Sequence, residues 1–269
     1  MTKASIPRVT FDSNVWRIVA SPSQFPREPA IEQFRHINKL ISQGKIRAFL
    51  SETLFNLESI PKAQRAAFLK SAVSRFRSNL SLSGDNRVLI TVEAQHNPYP
   101  PQPSFVADHV RDAISLGFKL LHCYRIATPL NPIVNQDWYC EKSEASGEPL
   151  NERFGECVRF VEEMGCGRQW LVDIATKSSN GTEPWQSGLC RLDETEGDLV
   201  SKAVAEWADG DSIAAHWAYG NDFFCTRDTG KSAGHASVLA PSNLKKLRAK
   251  FEVLVGAPEQ LLSWVRDRP

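Results

Sequence analysis

Short apolar runs alternate with stretches of helical periodicity along this chain, and that alternation restricts what it can fold into. Arg8 to Asp12, Ile46 to Leu50, Val88 to Glu93, Phe118 to Leu121, Gln169 to Ile174, Asp222 to Thr226 and Glu252 to Val255 read as strands. Helical spacing is expected at about 30–43, from Ser51 to Ile60, from Lys62 to Arg77, near 105–116, at 151–164 and around 196–207. Further helices are expected to begin near Asp211, at about 242 and at Pro258. Gln43-Gly44-Lys45 is a turn, while Asn97 to Pro103, with four prolines, and the Ser/Asn/Gly/Thr-rich stretch 176–188 are loops. Strands separated by helices pair in parallel through crossover connections, so the expected fold is α/β with a central parallel sheet.

Composition narrows the class further. With 269 residues, 42% hydrophobic and 23% charged, the chain can bury a sizeable core, and one domain is expected. A formal net charge of +1 provides no global attraction to phosphate, so a nucleic-acid partner must be met by local basic patches. The stretch from Lys62 to Arg77 is such a patch: Lys62, Arg65, Lys70, Arg75 and Arg77 occur without one acid. It reads either as a solvated face or as a track for an RNA backbone. No apolar run approaches the roughly 20 residues of a membrane span, and MTKASIPRVTFD lacks a signal peptide's apolar stretch; a soluble, cytoplasmic protein is expected. The six cysteines form no CxxC pair and read as scattered reduced thiols.

The carboxylates carry the chemistry. The C-terminal ends of the strands in an open parallel sheet gather on one edge, where ligands bind. Asp12 stands at the end of the first strand, and Asp228 follows the apolar Phe223-Phe224-Cys225 through Thr226 and Arg227. Two acids far apart in sequence are thereby expected side by side. Such crowding raises their pKa values, and a divalent cation is the usual compensation. Asp209 and Asp211 lie at an expected helix start, and Glu52 and Glu58 flank Leu54, Phe55 and Leu57 after the second strand. An all-oxygen donor set suits Mg²⁺ or Mn²⁺, the ions that orient water and stabilise charge in phosphodiester hydrolysis.

These pieces resemble the PIN-domain nucleases, a family that includes many bacterial toxin ribonucleases. The resemblance rests on Phe11-Asp12-Ser13-Asn14-Val15, on Ser51 to Glu58, on DGDSIAAHWAYGNDFFCTRD from Asp209 to Asp228, and on the tail FEVLVGAPEQLLSW. It implies a three-layer α/β/α sandwich and a metal-dependent endoribonuclease whose Mg²⁺ or Mn²⁺ is held by Asp12, Glu58, a third acid and Asp228. The third acid is Asp209 or Asp211: counting back from Thr226-x-Asp228 favours Asp209, whereas Asp211-Ser-Ile-Ala-Ala looks more like a helix start and is preferred. Asn14, Thr226 and Glu52 would stand behind the carboxylates and hold them. An RNA substrate and an inhibitory antitoxin-like protein are the partners implied. The family-like segments are 1–60 and 196–269, with 61–195 as an insertion.

Other readings stand beside these. A PIN-like scaffold that binds nucleic acid or a protein without cutting is the rival function. His216 and Trp217, on an Ala-rich helix, read as packing residues, and His122 beside Cys123 as structural. Trp138, Trp170 and Trp185 are either core anchors or platforms for bases.

Overall fold

The computed structural model describes residues 5–73, 76–82, 88–94, 104–125, 135–145, 147–179 and 185–268. In chain order the elements are β1 (Arg8–Phe11), α1 (Trp16–Ala20), α2 (Ile31–Ser42), β2 (Arg47–Ser51), α3 (Arg65–Val73), β3 (Phe76–Leu82), β4 (Val88–Ala94), α4 (Ser104–Leu116) and β5 (Lys119–Leu121). Then follow α5 (Leu150–Glu163), α6 (Arg168–Lys177), α7 (Trp185–Leu189), α8 (Gly197–Ala218), β6 (Phe223–Cys225), α9 (Pro241–Phe251), β7 (Val255–Gly256) and α10 (Pro258–Arg266). Five strands form one sheet in the order β5-β2-β1-β6-β7, and all its pairings are parallel. The chain winds from β1 to β2 on one side and later to β6 on the other. β1 is therefore the strand at which the sheet's winding direction reverses, the place where an open α/β sheet leaves a crevice at its carboxyl edge.

Successive side chains of a strand point to opposite faces, and the two faces are covered by different helices. Val9, Phe11, Ala48, Leu50, Leu120, Phe223 and Cys225 join one core with residues of α1, α2, α4 and α10. Phe49, Leu121 and Phe224 turn the other way, into a second core with α5, α9 and the C-terminal half of α8. Such burial on both sides is why these strands read as near-continuous apolar runs. A third cluster, off the sheet, joins α3, α6 and α7 to the N-terminal half of α8.

Several expectations need correction. Ser51 to Ile60 does not open an α-helix: Glu52–Phe55 is one 3₁₀ turn and residues 56–59 form turns. This segment is buried almost throughout, so it has no polar stripe to set against an apolar one. The helix expected up to Arg77 ends at Val73, and the run Val88–Ala94 pairs antiparallel with β3 in a separate two-stranded sheet instead of joining the parallel one. Gln169 to Ile174 lies in helix α6, whose Leu171, Ile174 and Ala175 are buried at helical spacing. A six-residue stretch whose apolar members are Trp170, Leu171, Val172 and Ile174 does not distinguish the two states by itself. The proline-rich stretch Asn97 to Pro103 lies outside the described residues. The segment 61–195 also supplies β5 to the central sheet, together with α4 and α5 of its two faces.

The correction that matters most for the site concerns α8. The two helices expected around 196–207 and from Asp211 are one continuous helix of 22 residues. Gly210 costs an exposed helix about 1 kcal/mol relative to alanine. Here it allows a close crossing: a Cβ on Gly210 would lie 3.2 Å from Gly167 Cα, and Gly167 itself has φ +61°. Asp209 and Asp211 accordingly stand in mid-helix, two residues and about 200° apart around its axis.

Among the described residues no helix is long and apolar enough to cross a membrane. All six cysteines are unpaired, and five are buried.

Candidate active site

The carboxyl edge is built from the ends of β1, β2 and β6. The Asp12 amide donates to the Cys225 carbonyl at 3.0 Å, extending the β1–β6 ladder by one residue and setting the Asp12 side chain at the strand tip. Asp12 is buried and held on both oxygens: the Ser13 amide donates to Oδ1 at 2.6 Å, and Asn14 Nδ2 and the Thr226 hydroxyl donate to Oδ2 at 2.7 Å and 2.5 Å. The same Thr226 oxygen accepts from the Asp228 amide at 2.9 Å, and Asn14 Oδ1 accepts from the Arg227 amide at 3.0 Å. Residues 12–14 and 226–228 are thus stitched together across the two strand ends by Asn14 and Thr226, both of which donate to Asp12.

Glu58 is positioned from β2. Ser51 caps the 3₁₀ turn through the Thr53 amide at 3.3 Å, and the Thr53 hydroxyl donates to Glu58 Oε1 at 2.7 Å. The Ser212 hydroxyl of α8 lies 3.2 Å from the Thr53 hydroxyl, joining this turn to the long helix. Asp12, Ser13, Ser51, Glu58 and Ser212 line one cleft.

Electrostatics identifies the acids that share the site. Burial pushes the Asp12 carboxyl up to about 6, the Thr226 hydrogen bond opposes it, and the charges of Glu58 and Asp228 add to the rise. Burial also raises Asp209 well above the carboxylate range, and Asp12, Glu206, Glu58 and Asp228 raise it further. Four segments of the chain therefore bring Asp12, Glu58, Asp209 and Asp228 within one another's fields.

Asp211 does not belong to this group. Its carboxylate is fully buried on another side of α8, where the Arg125 guanidinium and Trp207 Nε1, the latter at 3.2 Å, donate to it. Arg125 also pairs with Glu162, which Arg168 contacts at 2.9 Å. Asp211 closes a structural ion-pair network, and the preference for it over Asp209 is reversed by the continuity of α8. Glu52 is likewise misassigned as a support for the carboxylates. Its buried side chain accepts from the Cys123 amide, from the Tyr139 hydroxyl at 3.1 Å and from His122 Nδ1 at 3.3 Å, all on the β5 side.

One acid escaped the sequence reading. Glu206, three residues before Asp209 on α8, is 3% exposed, and its Oε2 has no hydrogen-bond partner among the described residues. Burial pushes it up to about 7; the Ser237 hydroxyl and Val238 amide oppose the shift, and the Asp228 charge adds to it. The i, i+3 spacing of Glu206 and Asp209 places both on one helical face, a signal obscured by reading the helix as ending at 207.

The basic residues are mostly used within the fold. Arg65 is buried, donating to the carbonyls of Ile60 at 3.1 Å and Ser201 at 2.9 Å. Burial lowers its pKa, while the charges of Glu58 and Asp209 act to raise it, so this guanidinium lies beside the acids and is not an outward contact for a nucleic-acid backbone. Lys70 donates to the Leu192 carbonyl at 2.5 Å, and Lys62 is exposed. Arg75 and the Arg77 side chain lie outside the described residues. His216 is buried, bonded to the Thr10 hydroxyl at 2.9 Å and edge-on to Phe224, a packing residue as expected; burial pushes it down to about 3. Trp138, Trp170, Trp185 and Trp217 pack against the core clusters.

Among the described residues no three His, Cys, Asp or Glu side chains converge closely enough to hold an ion as they stand. The donor chemistry nevertheless suits Mg²⁺ or Mn²⁺: the acids are all-oxygen donors, their charges oppose one another, and one Glu206 oxygen has no partner among the described residues. Comparison of the chain with protein-family models, with curated proteins and with solved structures finds no match.

Proposed function

We propose that this chain is a PIN-like, divalent-metal-dependent nuclease that hydrolyses phosphodiester bonds in RNA. The observation that supports the reading is that Asp12 and Asp228 follow the ends of the adjacent parallel strands β1 and β6, beside the strand where the winding reverses, with Glu58 in the same cleft as Asp12 and Asp209 near enough on α8 to feel their charges. Asp12 and Asp209, whose pKa values their acidic neighbours raise, favour a cation between them, and Mg²⁺ or Mn²⁺ bound there would orient water and offset charge on the phosphate. The chain's own residues prepare that position. Ser13, Asn14 and Thr226 fix the orientation of Asp12, and Thr53 fixes Glu58. Arg65 supplies a cation beside Glu58 and Asp209. The test is cleavage of a generic single-stranded RNA by the purified protein with Mg²⁺ or Mn²⁺, against an EDTA control. Metal-dependent cleavage supports the reading; tight RNA binding without cleavage in either metal overturns it in favour of a non-cutting scaffold.

A further inference from the structure

The β5 side of the same edge carries a group of aromatic rings, of which Tyr139 belongs to the core shared with α1, α2 and α4 while His122 and Tyr124 reach the surface. His122 follows Leu121, the last residue of β5, and its ring stacks on Tyr139 with centroids 3.9 Å apart and planes 7° apart. Tyr139 is buried, whereas the His122 side chain is 37% exposed. Tyr124, one of three exposed large hydrophobic residues among those described, borders His122 at 6.2 Å between centroids, and its other side rests against Phe154. Glu52 fixes the arrangement from below, since one buried carboxylate meets His122 Nδ1, the Tyr139 hydroxyl and the Cys123 amide. This is more support than an ordinary half-buried histidine requires. It holds the ring at a fixed angle with one face covered by Tyr139.

The sheet register places this platform relative to the acids. Leu121 pairs with Ser51, and continuing the β1–β2 register by two residues sets Ser51 beside Asp12. The Cα of His122 thus stands one residue beyond the row that contains Asp12 and two strand spacings away, or about 10 Å. A single strand of nucleic acid crossing the edge with a phosphate at the acids would carry a neighbouring base over His122. Aromatic faces accept any base, and a platform held rigid beforehand binds at lower entropic cost.

We propose that His122, stacked on Tyr139 and flanked by Tyr124, is a nucleobase-stacking subsite for single-stranded nucleic acid bound across the acid cluster. This rests on the nuclease reading, and the experiment separates the two. Binding of a fluorescent single-stranded RNA, too short to fold, is measured by anisotropy in Ca²⁺ for the wild type and for His122→Ala, Tyr124→Ala and His122→Phe. The same measurements are repeated with an oligonucleotide that is abasic throughout. His122→Ala is expected to weaken binding of the normal strand about tenfold or more and Tyr124→Ala by less, whereas His122→Phe, which keeps a ring but gives up the Glu52 contact, stays within about threefold of wild type. Binding of the abasic strand should be weak and equal in all four proteins. Melting temperatures within a few degrees of wild type establish that the variants are folded. Should His122→Ala fail that check, the His122→Phe and Tyr124→Ala pair decides by the same criteria. Normal binding and metal-dependent cleavage with no loss in His122→Ala or Tyr124→Ala would overturn the subsite and leave the nuclease reading standing. A wild type that neither binds nor cuts RNA would overturn both.

Discussion

Replacing Asp12 by Asn should change stability in opposite directions at the two ends of the accessible pH range. In the folded chain the Asp12 carboxyl is raised from its ordinary 3.8 to about 6, first by burial and then by the charges of Glu58 and Asp228. A raised carboxyl makes the folded state bind a proton that the unfolded state has already released. Stability therefore falls as pH climbs through the window from about 4 to about 6. The fall from this residue alone is about 3 kcal/mol, at 1.36 kcal/mol per pKa unit. Asn carries no such penalty but loses acceptor capacity. Its carbonyl can keep the Ser13 amide, while Asn14 Nδ2 and Thr226 then face an amide nitrogen, costing about 1–2 kcal/mol for one or two hydrogen bonds. In EDTA the variant should be less stable than wild type by about 1–2 kcal/mol at pH 4, where both side chains are neutral. At pH 7.5 it should be more stable by about 1–2 kcal/mol, with the curves crossing between. Relief of the Asp209 carboxyl, which Asp12 also raises, pushes the same way. Urea unfolding followed from pH 4 to 8, with m-values compared to check that the unfolded states match, reads this directly. A variant less stable than wild type by a constant amount at every pH would refute the reasoning. It would mean that Asp12 ionises without penalty and that the cluster has no electrostatic need of a cation.

The same variant should lose cleavage by about 100-fold or more in Mg²⁺ while its melting curve stays cooperative, as read in a single-turnover RNA assay. Asp209→Asn should match that loss, whereas Asp211→Asn should cleave at close to the wild-type rate per folded molecule; the reverse ranking would restore Asp211 as the third acid. Arg125→Met should destabilise the protein by about 3–5 kcal/mol by leaving Asp211 buried without its cation, and adding Asp211→Asn should recover part of that in a double-mutant cycle by urea unfolding. Glu206→Gln should raise metal-free stability at pH 8, above its folded value of about 7, and leave it near wild type below pH 4.5; equal effects at both pH values would show that the carboxylate is not desolvated as its burial demands.

What was legible in the sequence followed from periodicity. β1, β2, β5 and β6 appear close to their expected positions because strands buried on both faces leave short unbroken apolar runs. Asp12 and Asp228 follow from the same logic: an acid just past such a run lies at the carboxyl edge once the pairing is parallel. What was not legible depended on tertiary contacts. The Val88–Ala94 run alternates no differently from a sheet strand, and only its β3 partner makes it a hairpin. Arg65 stands in an acid-free basic stretch, but its guanidinium is enclosed by the carbonyls of Ile60 and Ser201. Glu52 stands after a strand, where a supporting acid belongs, yet the β5 backbone claims its side chain.

The third acid shows how one local reading spreads into the chemistry. Asp209-Gly210-Asp211 looks like a helix boundary because glycine is a poor interior residue and Asp a good cap. If a helix began there, Asp211 in its first turn would face the edge and Asp209 would lie outside it. The close approach of Gly210 to Gly167 accounts for the glycine without a helix boundary, since the space beside Gly210 Cα is already filled by the turn between α5 and α6 and the helix continues through it. Once the helix runs through, the angular step of about 200° between the two acids sends one toward the sheet edge and the other into the α5–α6 side. That side is prepared for it, as Arg125 and Trp207 meet Asp211 there. Glu206 and Asp209 then share the remaining face by their three-residue spacing. The continuity of α8 through Gly210 thus separates the carboxylate that faces the cluster from the one locked into the scaffold, and it puts Glu206 on the same face as Asp209.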